Sequence, residues 1–191
     1  MASGVIKADL SKIAGNLVKN ASSGEVCDNP ASRLKGSVPP SAFEFSSAFC
    51  RLGARDLSVI HPQLKAHNVR LIGIGLEQLG VEEFLEKRFF SGELYVDEKK
   101  KNYADLGYKR HGYFSILTAL ISRAARAMIS RVKQEGVEGN FAGDGLQTGG
   151  TLIVERGGKV LLDFKQDNPA DHVEPAKILE ILGIKSEAPS S

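Results

Sequence analysis

The feature that most restricts the fold is a pair of apolar runs on either side of two consecutive glycines near the C-terminus. The runs are Thr151–Val154 and Lys159–Phe164, and the glycines are Gly157 and Gly158. Glycine tolerates the positive φ angles of tight turns, and apolar runs on both sides of such a turn are typical of a β-hairpin. The sequence therefore predicts two antiparallel strands here.

Upstream of the hairpin, strand-like and helix-like segments alternate. Val69–Ile74 and Glu93–Val96 have the composition of short strands, Tyr113–Gln134 has the longest helical periodicity, and Pro175–Leu182 is a predicted closing helix. Alternating strands and helices favour an α/β fold, and the hairpin makes its sheet mixed. A mixed central sheet with helices on both faces and a C-terminal hairpin plus helix is the thioredoxin-like arrangement. Periodicity alone also permits a flavodoxin-like fold.

The N-terminal part of the chain is predicted to lie apart from this unit. Asp9–Lys19 has apolar residues at helical spacing, and Ser22–Pro40 is rich in Ser, Gly, Asn and Pro, as loops are. We predict an N-terminal helix and loop over residues 1–36, a thioredoxin-like domain over 37–184, and a disordered tail over 185–191.

Between the loop and the first buried strand, the sequence predicts a strand followed by a long helix. Pro40 lacks the N–H that a central strand needs, and Ala42–Phe49 alternates loosely as a short strand that runs into a turn. Cys50–Asn68 has a helical period, which Pro62 should interrupt.

Composition excludes several classes of protein. The formal net charge of +2 over 191 residues gives no global sign of nucleic-acid binding. No apolar run is long enough for a transmembrane segment, and the N-terminus lacks a signal-peptide core. Two cysteines, Cys27 and Cys50, are too few for a disulfide framework and suit a reducing compartment. We therefore expect a cytosolic protein.

Several sequence blocks carry a family resemblance, and they occur in the family's order from Cys50 to Ile184. The chain resembles the peroxiredoxin-like proteins that include prostamide/prostaglandin F synthase, in the thioredoxin-like superfamily. About 45 N-terminal residues match poorly. The matching blocks are Phe89–Lys100, Leu106–Arg110, Gly139–Val154, Gly157–Gly158, Val160–Leu162 and Asp171–Val173.

This resemblance implies a thioredoxin-like fold and a cytosolic oxidoreductase. It implies reduction of the endoperoxide bridge of prostaglandin H and of prostamide H to F-series products. The reducing equivalents would come from NADPH through thioredoxin or a similar donor protein, so that no cofactor is bound tightly. The nearest sister group implied by the resemblance is antioxidant.

The reactive motif of the family is Cys-x-x-Cys at the start of the first long helix, and this chain departs from it. The aligned residues are Ser47-Ala48-Phe49-Cys50, so that a serine replaces the first cysteine. A cysteine at a helix start has a lowered thiol pKa and attacks as the thiolate, and a second cysteine resolves the intermediate. Cys50 is therefore a candidate single reactive thiol, or else a buried core cysteine. Cys27 is either a replacement resolving thiol or idle.

Three further residues are candidates for substrate binding. Gly150 and Thr151 align with the pair of residues that faces the cysteines in thioredoxins, where a glycine would let substrate approach the backbone; simple turn geometry is the alternative. Arg110, in a basic cluster, could pair with a substrate carboxylate, or could simply be solvated. The histidines have no metal-ligand spacing, so no metal site is expected.

Three functions remain open on the sequence. The first is a thiol oxidoreductase that acts on prostaglandin endoperoxides. The second is a thioredoxin-fold protein that Ser47 has weakened or made non-catalytic. The third is an antioxidant peroxide scavenger, although the residues before Cys50 lack the Pro-x-x-x-Thr-x-x-Cys pattern of peroxiredoxins.

Overall fold

A mixed β-sheet forms the centre of the molecule. The computed structural model describes residues 8–30, 40–43, 45–114, 118, 121–139 and 146–185. Five strands form one sheet and the last two form a hairpin. The strands are β1 (Leu17–Asn20), β2 (Val26–Asp28), β3 (Pro40–Phe43), β4 (Ile72–Gly75), β5 (Glu93–Val96), β6 (Gly150–Val154) and β7 (Val160–Lys165).

The order of the five strands is β2-β1-β5-β4-β3. Strands β3, β4 and β5 run parallel, whereas β1 is antiparallel to both β2 and β5. β6 pairs with β7 and lies beside β3, so that the hairpin sits at that end of the sheet. Pro40 is the first residue of β3 and β3 is an edge strand of this ladder, which is where a proline is tolerated.

The predicted hairpin is confirmed. Thr151 pairs with Phe164 and Ile153 with Leu162, with a register shift after Ile153. Gly157 and Gly158 have φ angles of 93° and 88°. The Gly158 amide donates to the Glu155 carbonyl at 3.0 Å, so that Gly157 is the third residue of the turn, and glycine adopts such positive φ angles without strain.

Helices cover both faces of the sheet. In the described part of the chain they are α1 (Ala48–Val59), α2 (His61–Ala66), α3 (Val81–Glu86), α4 (Lys101–Asp105), α5 (Arg123–Gln134) and α6 (Pro175–Ile181). Leu94 and Val96 of β5 point into one core with helices α1, α2, α3 and α6, while Tyr95 points into a second core with α4. This alternation is the two-residue period of a strand buried on both faces.

The predicted N-terminal helix and loop are wrong. Within Asp9–Lys19 only a 3-10 turn, Leu10–Lys12, forms before strand β1, and strand β2 lies in the predicted loop. The side-chain amide of Asn16 donates to Asn102 Oδ1 at 3.1 Å and to Asp105 Oδ2 at 2.8 Å. Because these long-range bonds fix the chain just before β1, tertiary contacts override the helical spacing. The boundary at residue 36 and the tail beyond residue 185 lie outside the described residues.

The predicted long helix Tyr113–Gln134 is interrupted. Helix α5 begins only after Ser122, whose backbone is extended and whose hydroxyl accepts a bond from the Ala125 amide. Upstream, Phe114 and Ile121 are exposed instead of buried. The extended backbone of Ser122 interrupts the helical path, and its hydroxyl caps the helix that follows.

The predicted helix over Cys50–Asn68 forms as two helices. Helix α1 ends at Val59, and α2 starts at His61 after the single residue Ile60, with Pro62 in its first turn. A proline is tolerated there because its missing N–H would have no partner in the first turn of a helix. No helix in the described ranges is long and apolar enough to cross a bilayer.

The architecture is a mixed α/β fold of the thioredoxin-like kind, as predicted.

Candidate active site

Ser47 and Cys50 lie together at the start of α1. Ser47 is the N-cap residue, with φ −74° and ψ 125°, and its hydroxyl accepts a hydrogen bond from the Cys50 amide at 3.5 Å. Cys50 is thus the third residue of the helix and is half-buried. The first turn of a helix presents unpaired N–H groups and the positive end of the dipole. Such a position favours the thiolate, the reactive form of cysteine.

Cys27 is not placed to assist Cys50. It belongs to β2, one edge of the five-stranded sheet, whereas α1 follows β3, the opposite edge. The two cysteines pack against different cores on opposite faces, and neither is in a disulfide. A resolving role for Cys27 would require its sulfur to reach Cys50, and this topology does not bring them together.

Arg51, the residue after Cys50, is the functional candidate that sequence reasoning missed. Its side chain is only 1% exposed. Nε donates to the carbonyl of Phe45 at 2.7 Å, Nη1 to the carbonyl of Glu138 at 2.7 Å, and Nη2 to Glu83 Oε2 at 2.6 Å. The guanidinium also lies 5.2 Å from the centre of the Phe89 ring. Its helical spacing to the buried Ala54 could have placed it on the inward face.

The ion pair with Arg51 changes the titration of Glu83. The hydrogen bond from Arg51, followed by that from Lys87, lowers the pKa of Glu83 from 4.5 to about 2. Lys87 also bonds to the carboxylate of Glu138. Arg51 and Lys87 therefore connect α1, α3 and the segment that follows α5.

That segment lies directly on the start of α1. A Cβ atom on Gly139 would lie 2.4 Å from the amide nitrogen of Ala48, the first residue of the helix. Real Cβ atoms do not approach so closely, so the position requires glycine. The segment that begins at Gly139 and continues into residues 140–145, which lie outside the described residues, thus starts beside Ser47 and Cys50.

Gly150 and Thr151 are the first residues of β6, and both are buried. A Cβ on Gly150 would lie 2.2 Å from the carbonyl oxygen of Phe164 and 2.6 Å from the Tyr108 ring. Glycine is therefore required here by the packing of the protein itself. Burial raises the pKa of Tyr108.

A small cavity of about 70 Å³ lies between Thr151 and the second turn of α1. Gly53 and Asp56 contribute from α1, so the cavity begins one helical turn beyond Cys50. Arg131 closes one side and donates to both carboxylate oxygens of Asp56 at 2.9 Å. The structure therefore brings Gly150 and Thr151 close to α1, and their role in substrate binding stays a prediction.

His172 forms another wall of this cavity. Burial lowers the pKa of His172, so its neutral form is favoured. The ring lies against α1, because a Cβ on Gly53 would be 3.1 Å from its Cε1 atom. The side chain of Gln166 connects it to the residue before β6, since it contacts His172 Nδ1 at 3.2 Å and accepts from the Gly149 amide at 2.8 Å.

Arg110 is not brought to this site. It is exposed, follows α4, and forms a backbone bridge with Gln147. It does not line the cavity beside α1. Its suggested pairing with a substrate carboxylate remains a prediction that the geometry of α1 does not support.

Comparison with known proteins identifies the family. A sequence model of the AhpC/TSA antioxidant enzymes matches residues 56–168, which begin after Cys50. Prostamide/prostaglandin F synthase of Xenopus tropicalis is 43% identical over 185 residues, covering 96% of this chain and 92% of the relative. The Homo sapiens protein of the same name is 41% identical, over 96% and 93% of the two chains.

These alignments are longer than the segment from Cys50 to Ile184 that carries the resemblance. A match over 96% of the chain includes most of the N-terminal segment, which we expected to match poorly. The strands β1 and β2 found there complete the sheet of the same domain. The chain therefore belongs to the peroxiredoxin-like prostamide/prostaglandin F synthase group of the AhpC/TSA antioxidant enzyme family.

Proposed function

We propose that this chain is a thiol-dependent oxidoreductase that reduces the endoperoxide bridge of prostaglandin H and prostamide H, with Cys50 as its single reactive thiol. The observation that carries the proposal is the position of Cys50 in the first turn of α1, beside the capping hydroxyl of Ser47. The relatives that cover 96% of this chain bear the name of that activity. The cytosol, where thiols are kept reduced, suits such a protein.

The reaction can be written with one thiol on this chain and two on a donor. The Cys50 thiolate attacks one oxygen of the O–O bond, forming an S–O bond, and the other oxygen leaves as an alkoxide that takes up a proton. A donor thiolate then attacks the sulfur of Cys50, releases the second oxygen as an alcohol after protonation, and forms a mixed disulfide. The second donor thiol displaces Cys50, so that the donor dithiol supplies both electrons and becomes a disulfide.

An external donor is needed because Ser47 cannot form a disulfide and Cys27 lies at the far edge of the sheet. A thioredoxin-like dithiol protein has the required chemistry, and NADPH would reduce that donor. The proposal assigns no NADPH site to this chain. The same scheme predicts slow turnover, because the capping position, where the thiol would be most accessible, holds a hydroxyl.

The test is an NADPH-coupled endoperoxide assay with thioredoxin and its reductase. The chain is compared with Ser47→Cys, Cys50→Ser and, as a matched cysteine control, Cys27→Ser. We expect Ser47→Cys to turn over at least about tenfold faster, because the substitution supplies a low-pKa thiol at the helix start and Cys50 can then act as the local resolving thiol. Cys27→Ser should match the parent, and Cys50→Ser should lose all turnover. Turnover that survives in Cys50→Ser would refute the proposal.

Ser47 also favours a second candidate, a member of the family that is an antioxidant or does not turn over. An antioxidant would reduce a simple alkyl hydroperoxide faster than the endoperoxide in the same coupled assay. A non-catalytic member would consume NADPH at the blank rate with both substrates, and Cys50→Ser would not differ from it.

A further inference from the structure

The guanidinium of Arg51 is a fully buried cation in the first turn of the helix that carries Cys50. A buried charge is costly unless it is paired and hydrogen-bonded. Arg51 meets both conditions, with one carboxylate and two backbone carbonyls as partners. The identity of these partners indicates what the cation holds in place.

Both carbonyls belong to segments that flank the start of α1. Phe45 lies two residues before the capping Ser47. Glu138 immediately precedes Gly139, whose backbone lies against the amide of Ala48. The planar fork of one guanidinium therefore ties both segments to α1 itself, which lysine with its single ammonium group could not do in the same way.

The helix cap by itself is a weak constraint on this turn. The bond from the Cys50 amide to Ser47 Oγ is 3.5 Å long, at the limit for a hydrogen bond, whereas the Arg51 bonds are 2.6 to 2.7 Å. We propose that Arg51 is a positioning residue that holds the first turn of α1, and with it the Cys50 thiol, in the geometry needed for thiol chemistry. The inference rests on the proposed function in which Cys50 reacts as a thiolate.

A change at Glu83 can distinguish an effect of Arg51 on the Cys50 thiol from a general effect of Arg51 on the stability of the fold. Its carboxylate is partly exposed, with 38% of the side chain accessible, and it balances the charge of the buried Arg51. Removal of Arg51 loses both the positive charge and the ordered N–H groups, and so disfavours the Cys50 thiolate. Removal of the Glu83 charge leaves the cation uncompensated beside the first turn, and so favours the thiolate. The two changes should therefore act in opposite directions on the thiol.

The test measures the pH dependence of Cys50 alkylation by iodoacetamide, by mass spectrometry, in a Cys27→Ser background. We expect Arg51→Gln to raise the pH midpoint of the alkylation rate by about 0.5 to 1 unit, the size of a helix-terminus effect. The midpoint of Arg51→Lys should fall between those of the parent and of Arg51→Gln, and Glu83→Gln should lower the midpoint. The matched controls are Arg70→Gln and Glu93→Gln, which break a two-bond ion pair at 2.7 Å where β5 begins. These should leave the midpoint unchanged.

Two results would overturn the proposal. One is an unchanged midpoint in Arg51→Gln, and the other is a midpoint that Glu83→Gln raises. If Arg51→Gln does not fold, as judged by circular dichroism, the direction of the Glu83→Gln shift decides. Alkylation needs no endoperoxide turnover, so a shifted midpoint in a protein without turnover would refute the proposed function and leave the role of Arg51 intact.

Discussion

Ser47 and Ser122 are both helix N-caps, and their hydrogen bonds differ in length. The Ser47 hydroxyl accepts from its helix at 3.5 Å and the Ser122 hydroxyl at 3.1 Å. Removal of an N-cap hydroxyl costs about 0.5 to 2 kcal/mol. We expect Ser47→Ala to lie near the lower limit and Ser122→Ala to lose more, measured as the free energy of unfolding in urea. A larger loss in Ser47→Ala would show that the cap holds α1 more firmly than its geometry indicates.

The Glu83–Arg51 pair predicts a pH-dependent part of the stability. The pKa of Glu83 is about 2 in the folded protein, below its ordinary 4.5, because Arg51 and Lys87 bind the carboxylate. A depressed carboxyl pKa stabilises the fold above 4.5, and the contribution is lost as the pH falls towards 2. The difference in urea midpoint between the parent and Glu83→Gln should therefore be largest at neutral pH and should decrease as the pH falls from 4.5 towards 2.

A double-mutant comparison is the control for this pH dependence. In an Arg51→Gln background, most of the gap caused by Glu83→Gln should disappear, because the principal partner is already gone. If Glu83→Gln changes the urea midpoint by the same amount in the Arg51→Gln background as in the parent, the pH-dependent stabilisation comes from Lys87 alone.

At the scale of the elements, β4 and the loop before α1 are interlocked through Gly75. A Cβ on Gly75 would lie 2.0 Å from the Phe45 ring. We expect Gly75→Ala to lower the free energy of unfolding by about 1 to 3 kcal/mol, the usual cost of overpacking. It should also slow Cys50 alkylation, because the Phe45 carbonyl is a partner of Arg51. Gly112→Ala is the control, since in the described part of the chain no atom beyond its sequence neighbours lies within 4 Å of the added Cβ.

The elements also show what sequence reasoning can reach. Strand β5 lies where its composition predicts, and the hairpin lies where Gly157-Gly158 predict it. Both predictions succeed because each depends only on residues that are neighbours in the sequence. The Asn16 bonds that replace the expected helix with a strand join residues 86 and 89 positions apart, so no local pattern contains them. The apolar spacing on both sides of Ser122 predicted one continuous helix, and the N-cap at Ser122 that interrupts it is seen only in the structure.

In the candidate active site, too, local features could be predicted from the sequence and long-range contacts could not. The positions of Ser47 and Cys50 at a helix start were predicted from the family motif and are confirmed. Arg51 could be placed on the buried face of α1 by helical spacing, yet its function depends on the Glu138 carbonyl, 87 positions away. Such an acceptor is known only once α5 has been packed against α1.

At the scale of the whole molecule, the sheet separates the two cysteines. Four strand-to-strand steps of about 4.8 Å separate β2 from β3, roughly 19 Å, whereas a disulfide needs Cα atoms within about 7 Å. We expect mild oxidation to form no bond between Cys27 and Cys50, as judged by peptide mapping under non-reducing conditions. The Ser47→Cys variant is the positive control, because its new thiol lies within one helical turn of Cys50.

The capping role of Ser47 has a consequence for how such a chain can change over generations. Serine is among the best N-cap residues, so a hydroxyl at this position satisfies the helix whether or not any redox chemistry occurs there. Selection for a folded protein alone would therefore retain serine here. Only selection for thiol chemistry could maintain a cysteine in its place, and a lineage released from that demand could lose its nucleophile without passing through a misfolded intermediate.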